Sequence, residues 1–336
     1  MSNPDKAEPR YTTTPAIAVE GLSKRFGSVQ AVAGVDFEVS RGEFFGFLGP
    51  NGAGKTTTIN MLTGLARPDA GTICIAGVDY TKQPKAAQRL IGVVGDESNL
   101  YPELTGFENL CFCAALYGMR KKKRLARAGE LLEMFGLKEA ADRKFGGYSR
   151  GMKRKLTIAA GIIHDPQILF LDEPTTGLDV ASARQIRQLI ADLHRAGTTI
   201  FLTTHYIEEA ERLCERIAFI VDGRIIRTDT IASLLQPLQG KQVMLFEVER
   251  DGRTLCGKLA AAFDNLAFDA FSDGRIRAEA AGPVPVGPLV RFIEEQGVTV
   301  LEARRQQPSL EDIFVKITGI ETDALQREKE KPGGSA

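Results

Sequence analysis

The sequence contains no apolar run long enough to cross a bilayer. The best candidate, "LTIAAGIIH", is about half the length of the roughly 18–20 residues that a spanning helix needs. The N-terminal stretch "MSNPDKAEPRYTTTPA" carries charges and prolines where an export signal would need apolar residues. We therefore expect a chain that is not exported and does not cross a membrane by itself, with residues 1–16 as a disordered tail.

An excess of either charge is also missing. The chain has 43 lysines and arginines against 43 aspartates and glutamates, so its formal net charge is zero. Bulk electrostatics gives no reason to expect a nucleic acid or an anionic membrane as a partner. The cationic run "RKKKR" at 120–124 opens a predicted helix whose other face carries Leu125, Leu131, Leu132 and Phe135. This pattern favours a solvated helix face over a nucleic-acid site.

Paired cysteines are the third absence. The cysteines are odd in number and none belongs to a Cys-x-x-Cys pair; they are Cys74, Cys111, Cys113, Cys214 and Cys256. A disulfide framework would need an even set, and a zinc site or redox motif would need close pairs. We therefore expect buried thiols in a reducing compartment.

What the sequence does contain, from residue 17 to about 236, is an alternation of short β-branched runs with longer amphipathic stretches. This alternation predicts an α/β domain. The runs "ILFLD" and "TIFLTT" are apolar almost throughout, as in strands covered on both faces. Between about 97 and 164 helical periodicity takes over, which predicts an inserted helical subdomain.

After about residue 240 the pattern changes to short strands and helices with few recognisable motifs. Segments such as "KQVMLFEVE", "PLVRFIEEQG" and "LEDIFVKITG" predict a small α+β domain at 241–320. The last residues, 321–336, end in "REKEKPGGSA" and are expected to form a disordered tail.

A phosphate-binding loop is the strongest motif. "GPNGAGKTTT" meets the G-x-x-x-x-G-K-[ST] pattern, follows the strand-like run "FFGFLG" and precedes a predicted helix. Glycines allow backbone N–H groups to face the phosphates, and the helix N-terminus adds its dipole. Lys55 would meet the β- and γ-phosphates, and the Thr56 hydroxyl would bind Mg²⁺. The predicted nucleotide-binding residues here are Gly49, Pro50, Asn51, Gly52, Ala53, Gly54, Lys55, Thr56 and Thr57.

The apolar run in "ILFLDEP" ends in two carboxylates, Asp172 and Glu173. At the carboxyl end of a parallel strand, where ligands of open α/β folds bind, Asp172 would hold Mg²⁺ through water. Glu173 would then orient and deprotonate the attacking water as a general base. Without the phosphate-binding loop, the same residues would read as a strand that ends in exposed carboxylates.

Two further positions are candidates for contact with the nucleotide. His205 follows another buried run, "IFLTT", and its place at a strand end favours a catalytic contact with the γ-phosphate over a satisfied polar group. Phe26, in "LSKRFG", would stack on adenine if exposed or pack in the core if buried. The residues "YSRGMKRKL" at 148–156 alone indicate a basic helix capped by Ser149.

Taken together, these motifs resemble in order and spacing the ATP-binding subunit of an ABC transporter, over residues 17 to about 235. The resemblance implies a P-loop NTPase fold with a mixed sheet, and two subunits that sandwich two ATP molecules. "YSRGM" stands where that family has Leu-Ser-Gly-Gly-Gln, so Ser149 and Gly151 are expected to reach the ATP of the other subunit. The resemblance also places Asp179 at that interface.

One position departs from the family. "IGVVGDE" places Asp96 where a glutamine is usual. A carboxylate still approaches Mg²⁺ or its water through oxygen, but it lacks the amide donor and adds negative charge near a triphosphate. We expect a working loop with altered coupling or Mg²⁺ dependence, and we count Asp96 with Thr56 and Asp172 as metal-binding candidates.

The region after Gly240 resembles, more loosely, the accessory domain behind ATPase subunits of ABC-2-type exporters. The leading hypothesis is therefore an ATPase, dependent on ATP and Mg²⁺, that pairs with a second ATPase subunit. It would lie on the cytoplasmic side of a membrane and power export through a separate permease. The competing hypothesis is a soluble ABC-type ATPase that acts on ribosomes or DNA, although the sequence has neither a second cassette nor a long coiled coil. A structural nucleotide switch would have no need of Glu173.

Overall fold

The computed structural model of the chain describes residues 14–236, 242–249, 253–271, 274–306 and 309–318. The expected tails therefore lie outside the described residues, apart from residues 14–16. Ala16 is buried and its N–H donates to the carbonyl of Val39, so ordered structure includes at least the last residue assigned to the first tail. The chain divides into two compact units, with the change between them at Ile231 and Ala232, and residues from Ile317 are grouped with the first.

Strands and helices alternate through the first unit. Its strands are β1 (Ile17–Phe26), β2 (Val29–Val39), β3 (Phe44–Leu48), β4 (Ala70–Ile75), β5 (Val78–Asp79), β6 (Ile91–Val94), β7 (Ile168–Asp172), β8 (Thr199–Thr204), β9 (Arg216–Val221) and β10 (Arg224–Thr230). Its helices are α1 (Lys55–Thr63), α2 (Pro84–Gln88), α3 (Gly106–Leu116), α4 (Lys121–Met134), α5 (Arg150–Gly161), α6 (Val180–Arg195) and α7 (Ile207–Leu213). The predicted α/β fold class is confirmed.

The main sheet has the strand order β10-β9-β3-β8-β7-β6. All neighbours pair in parallel except β10, which is antiparallel to β9. Every residue of β3 and β7 is buried, as expected for apolar strands covered on both faces. Because these strands run in one direction, the residues that follow β3, β6, β7 and β8 meet at one edge.

A second sheet, with the order β2-β1-β4-β5, is antiparallel throughout. Its inner face packs on the main sheet through aromatic rings. The ring of Phe37 on β2 lies 5.9 Å from Phe45, 5.7 Å from Phe47 and 5.9 Å from Phe201, measured between centroids. Buried aromatic side chains remove large apolar areas from water. This cluster therefore holds β3, and with it the loop that follows, in a fixed place.

The helical insertion comprises α3, α4 and α5, between β6 and β7. Helix α3 begins with a capping box: the Thr105 side chain accepts from the Glu108 N–H, and the Glu108 carboxylate accepts from the Thr105 N–H. The lysines at the start of α4 are exposed, as the solvated-face interpretation predicts. Leu125, expected on the buried face, is instead 39% exposed.

The cysteines are all free, which excludes a disulfide framework for this set. Only Cys214 is buried, however, and the other four are half-buried, so the prediction of buried thiols holds fully for one position. Among the helices that the structure describes, none combines the length and the apolar character that spanning a bilayer requires.

The second unit is a small α+β structure. Its strands are β11 (Gln242–Val248), β12 (Ala267–Ala270), β13 (Arg275–Ala280) and β14 (Val300–Gln306), in the antiparallel order β12-β13-β11-β14. Its helices are α8 (Ile231–Leu235), α9 (Arg253–Ala262), α10 (Val286–Glu295) and α11 (Leu310–Thr318). One core joins the sheet to α9 and α10. Arg277 on β13 donates to Asp312 on α11 over 2.8 Å, which ties that helix to the sheet.

Candidate functional site

The loop between β3 and α1 can be built only with glycine at two positions. A Cβ on Gly49 would lie 2.1 Å from the carbonyl oxygen of Ile220, and one on Gly54 would lie 2.4 Å from that of Ala31. Gly54 also has φ +103°, a conformation that side chains rarely adopt. The loop is therefore pressed against neighbouring backbone and turns into the N-terminus of α1, the arrangement that binds phosphate.

Lys55 is buried and lies across this loop. Its Nζ donates to the carbonyl oxygens of Gly49 and Pro50 over 2.8 and 3.0 Å, and it lies 3.5 Å from the Glu173 Oε1. Two backbone carbonyls and one carboxylate thus hold a positive charge at the site where the motif predicts the β- and γ-phosphates.

A cavity of about 260 Å³ opens in front of the loop. Its lining includes most of the predicted loop residues, together with two predicted carboxylates and three residues of β2; these are Asn51, Gly52, Gly54, Lys55, Thr56, Thr57, Asp96, Glu173, Val29, Gln30 and Ala31. The structure thus brings the phosphate-binding loop, Asp96 and Glu173 to one place. The β2 residues were missed, since no motif marks them in the sequence.

Asp172 ends β7 and is 3% exposed. Burial raises the pKa of its carboxyl, and hydrogen bonds from Thr203 and Thr56 only partly offset that effect. A buried carboxylate beside hydroxyl groups is an all-oxygen donor set, the chemistry that Mg²⁺ prefers. Among the described residues no cluster of three or more His, Cys, Asp or Glu side chains is arranged to hold a metal. The donors present therefore fit an ion held by a hydroxyl, a carboxylate and water.

Glu173 has an unusual backbone conformation, and its carboxylate contacts two neighbouring polar side chains. Its φ is +48°, in the left-handed region. The Oε2 atom lies 2.6 Å from the His205 Nδ1 and accepts from the Thr176 hydroxyl over 2.9 Å. Burial raises the pKa of Glu173, but the interactions with His205, the charge of Lys55 and the hydrogen bond from Thr176 together outweigh burial, so the pKa lies below its usual value. The carboxylate is therefore ionised at neutral pH and able to accept a proton.

His205 follows β8 as predicted and is 5% exposed. Its ring contacts Glu173 through Nδ1 and does not line the cavity in the described part of the chain. The structure thus places His205 behind the carboxylate it orients. The contact with a γ-phosphate expected from the sequence stays a prediction.

Phe26, at the end of β1, is 54% exposed, so the alternative of core packing is wrong. The Lys24 Nζ lies 5.4 Å from the centroid of its ring. Phe26 does not line the cavity itself, although Val29, three residues later, does. Its exposure leaves the ring accessible to a planar ligand, and stacking on adenine stays a prediction.

The predicted residues Ser149 and Asp179 cap two helices. The Ser149 hydroxyl accepts from the Met152 N–H over 3.3 Å at the start of α5, which confirms the predicted cap. Asp179 accepts from the Ser182 N–H over 2.9 Å at the start of α6. Both caps are exposed, and neither lines the cavity. The neighbouring Arg150 is also exposed, and its Nη1 donates to the Gly177 carbonyl over 3.3 Å.

Gly151 is buried where α5 meets α6. A Cβ at this position would lie 2.6 Å from the Oγ and 3.0 Å from the Cβ of Ser182. The family resemblance implied that this glycine reaches the ATP of the other subunit, which stays a prediction. Within one chain it allows close approach of two helix N-termini.

Replacing Gly151 by alanine is expected to lower the free energy of unfolding by about 1–3 kcal/mol, the usual cost of overpacking. The matched control is Gly129→Ala, since Gly129 lies inside α4 with nothing within 4 Å of an added Cβ. That change should raise stability by about 0.4–1 kcal/mol. Urea unfolding of both variants measures the difference, and equal shifts in one direction would contradict it.

Arg154 was missed by sequence reasoning. It is one cation of a basic run, and nothing in the sequence separates it from its solvated neighbours. In the structure it is buried, and its guanidinium donates to backbone carbonyls of four residues: Gly95, Asp96, Asp172 and Pro174.

Glu209 was missed too. It is buried on α7 and accepts from the Thr175 hydroxyl over 2.8 Å, and burial raises the pKa of its carboxyl. A glutamate on an amphipathic helix ordinarily faces water, so only the packing reveals it. Its contact fixes the loop that follows Glu173.

Comparison with known proteins finds relatives named as ATP-binding proteins, in agreement with the geometry of the site. The model of the family described as ABC transporter matches residues 32–176. The daunorubicin/doxorubicin resistance ATP-binding protein of Streptomyces peucetius is 39% identical over 319 residues, which cover 94% of this chain and 96% of that protein. The linearmycin resistance ATP-binding protein of Bacillus subtilis is 36% identical and covers 90% and 98%. A Nod factor export ATP-binding protein of Ralstonia nicotianae is 38% identical and covers 93% and 97%.

Solved structures similar to this chain also include ATP-binding cassettes. The ATP-binding subunit of an ABC transporter superposes with a TM-score of 0.60 at 30% identity, over 66% of this chain and 92% of that one. A dimeric ATP-binding cassette in a post-hydrolysis state, bound to ADP and Pi, gives 0.59 at 29% identity, over 64% and 98%. With relatives that match almost from end to end and a nucleotide site whose parts are in place, the chain belongs to the ABC transporter family as an ATP-binding cassette that hydrolyses ATP.

Proposed function

We propose that this cassette is the ATPase subunit of an exporter, in which ATP binding and hydrolysis drive a separate membrane permease. The observation that carries the hydrolytic part is the convergence of Lys55 and Glu173, 3.5 Å apart at a cavity lined by the phosphate-binding loop. The direction of transport is supported by the relatives reported above, which are named for drug resistance and for export.

ATP would lie in the 260 Å³ cavity with its phosphates against the loop and Lys55. Thr56 and Asp172 are the proposed ligands of Mg²⁺, directly or through water, with Asp96 as a further oxygen donor at the cavity wall. Mg²⁺ supplies positive charge that neutralises the β- and γ-phosphate oxygens. Glu173 accepts the proton of the attacking water, and His205 holds the carboxylate in place through Nδ1.

We infer that two copies of the chain enclose the nucleotide. Ser149, Gly151 and Asp179 lie at two adjacent helix N-termini that do not line the chain's own cavity. At the start of α5, the Ser149 hydroxyl, the backbone N–H groups and the helix dipole favour an anion. A second copy would bring this terminus to the phosphates and Asp179 to the interface beside it, as supported by the dimeric cassette among the similar structures.

The permease is the proposed partner, and the cytoplasmic face of its membrane the proposed location. No observation on the described residues favours the alternative of action on ribosomes or DNA, and the cations at 120–124 mostly face solvent on one helix.

The test is to express the full chain with and without a multi-span membrane protein encoded beside it. We expect the cassette to sediment with the membrane fraction only when that partner is present, and to hydrolyse ATP faster in the detergent-solubilised complex than alone. Sedimentation with ribosomes, or tight binding to DNA, whether or not the partner is present would overturn the proposal in favour of the alternative.

A further inference from the structure

Arg154 lies in the second turn of α5 with 8% of its surface exposed. Its Nε donates to the Pro174 carbonyl and its Nη2 to the Asp172 carbonyl, each over 2.8 Å. Its Nη1 donates to the Gly95 carbonyl over 2.6 Å and reaches that of Asp96 at 3.3 Å. A buried charge is stable only when such partners satisfy it, so this guanidinium is bound in one orientation.

The first two acceptors stand on either side of Glu173. That residue has φ +48°, a conformation that non-glycine residues leave unless their surroundings hold them in it. Arg154 donates hydrogen bonds to the carbonyl of the preceding residue, Asp172, and to that of the following residue, Pro174, so the strained Glu173 is held on both sides. The direction in which the Glu173 carboxylate points depends on that backbone.

The other two acceptors, Gly95 and Asp96, are the first two residues of the loop that follows β6. Asp96 lines the nucleotide cavity. One planar guanidinium thus joins three parts of the unit: helix α5, the loop of Asp96 and the end of β7. The fork of five N–H donors suits this task, because donors on different edges of one plane meet carbonyls on different sides. A lysine ammonium is compact and cannot place its donors at carbonyls on different sides in this way.

We propose that Arg154 is a positioning residue for hydrolysis, which holds the backbone of Glu173 and couples its orientation to helix α5. This inference rests on the proposed role of Glu173 as general base. Helix α5 begins at the cap Ser149, which is proposed to meet the nucleotide of a second copy. A displacement of α5 on closure would therefore reach Glu173 through a single side chain.

A purely structural arginine would affect folding alone. Within the described chain the hydrogen bonds of Arg154 do not reach the phosphate-binding loop, and they meet Asp96 only at its backbone carbonyl, so binding of ATP should survive the loss of Arg154. The orientation of the Glu173 carboxylate, by contrast, should not survive the loss of Arg154. Arg154 should therefore separate kcat from the Kd for nucleotide.

The experiment uses Arg154→Met and Arg154→Lys in the full chain. We expect kcat for ATP hydrolysis to fall about 10–100-fold, in line with the effect of small misplacements in active sites. The Kd for a fluorescent ATP analogue should change less than about threefold, well below the factor of ten that one charge-assisted contact contributes. If Arg154→Met does not fold, Arg154→Lys keeps the charge and decides the matter, and a wild-type kcat in a folded Arg154→Lys overturns the inference.

The matched control is Arg216→Met. Arg216 also makes several hydrogen bonds, to Glu43 and to the Glu38 carbonyl, but it lies at the start of β9, away from the carboxyl edge. We expect this variant to lower the melting temperature and leave kcat unchanged. An equal loss of kcat in both arginine variants would show that Arg154 acts through stability alone and overturn the inference.

A double variant separates this inference from the proposed function. In single-turnover assays, Arg154→Met should lower the hydrolysis rate much less in a Glu173→Gln background than in the wild type, because both changes act on one group. An equal loss in both backgrounds would overturn the inference, since Arg154 would then act independently of Glu173. If Glu173→Gln alone leaves the rate unchanged, the role of Glu173 itself fails.

Discussion

Replacing Glu173 by glutamine is expected to lower kcat for ATP hydrolysis by about 10²–10⁴-fold, the range over which a positioned base contributes. Glutamine keeps the size of the side chain but cannot accept a proton. The lowered pKa of Glu173 matters here, because the native residue is ionised at neutral pH and the amide removes that charge beside Lys55 and His205. Steady-state phosphate release measures the loss.

Binding should survive the same change, since the phosphate-binding loop is untouched. We therefore expect Glu173→Gln to accumulate as an ATP-bound dimer in saturating ATP, which gel filtration detects. Glu208→Gln is the matched control, because Glu208 also follows a strand of the main sheet, β8, but its carboxylate is exposed and paired with Arg212. A Glu173→Gln variant that stays monomeric would contradict the two-copy arrangement, and one that hydrolyses normally would contradict the role as base.

Replacing Lys55 by methionine is the second large change. We expect the affinity for ATP to fall about 10–100-fold, because charge-assisted hydrogen bonds contribute about 1.5–3 kcal/mol. Hydrolysis should fall further, since Lys55, whose Nζ lies 3.5 Å from the Glu173 Oε1, also supplies positive charge to the γ-phosphate during hydrolysis. Isothermal titration with ATP and with ADP measures binding, and the loss should be greater for ATP, whose γ-phosphate Lys55 also meets.

The control for this prediction is Lys138→Met. Lys138 is a lysine of the same unit that pairs with Glu133 over 3.0 Å at the surface, outside the nucleotide cavity. Surface ion pairs contribute little, so nucleotide affinity should be unchanged. Equal losses in the two variants would mean that Lys55 acts through general charge or stability and does not contact phosphate.

The parts of the site that sequence predicted share one property: each combines a local pattern with a fixed place on a strand. Gly49 and Gly54 follow a strand and precede a helix, and the structure shows that a Cβ would clash at either position. Asp172 ends one buried strand of a parallel sheet and His205 follows another, so both lie at the same edge of the sheet. Hydrophobic patterns and strand direction were sufficient to predict this convergence.

Arg154 and Glu209 could not be predicted in this way, because their roles depend on contacts far apart in sequence. Arg154 meets carbonyls 58 and 59 positions before it and 18 and 20 positions after it. Every residue has a backbone carbonyl, so no sequence motif marks the carbonyls that Arg154 contacts. The sequence around Arg154 is that of a basic amphipathic helix, and only tertiary packing distinguishes the buried cation from the exposed ones.

The contact between Gly151 and Ser182 has a consequence for motion. Because an added methyl group on Gly151 would collide with the Ser182 side chain, the two helix ends are in close contact, and a tilt of α5 towards α6 would have to displace that side chain. Ser149 and Asp179, the caps of these helices, therefore lie on adjacent helix ends. A movement that separates the two helix ends would also separate the two caps.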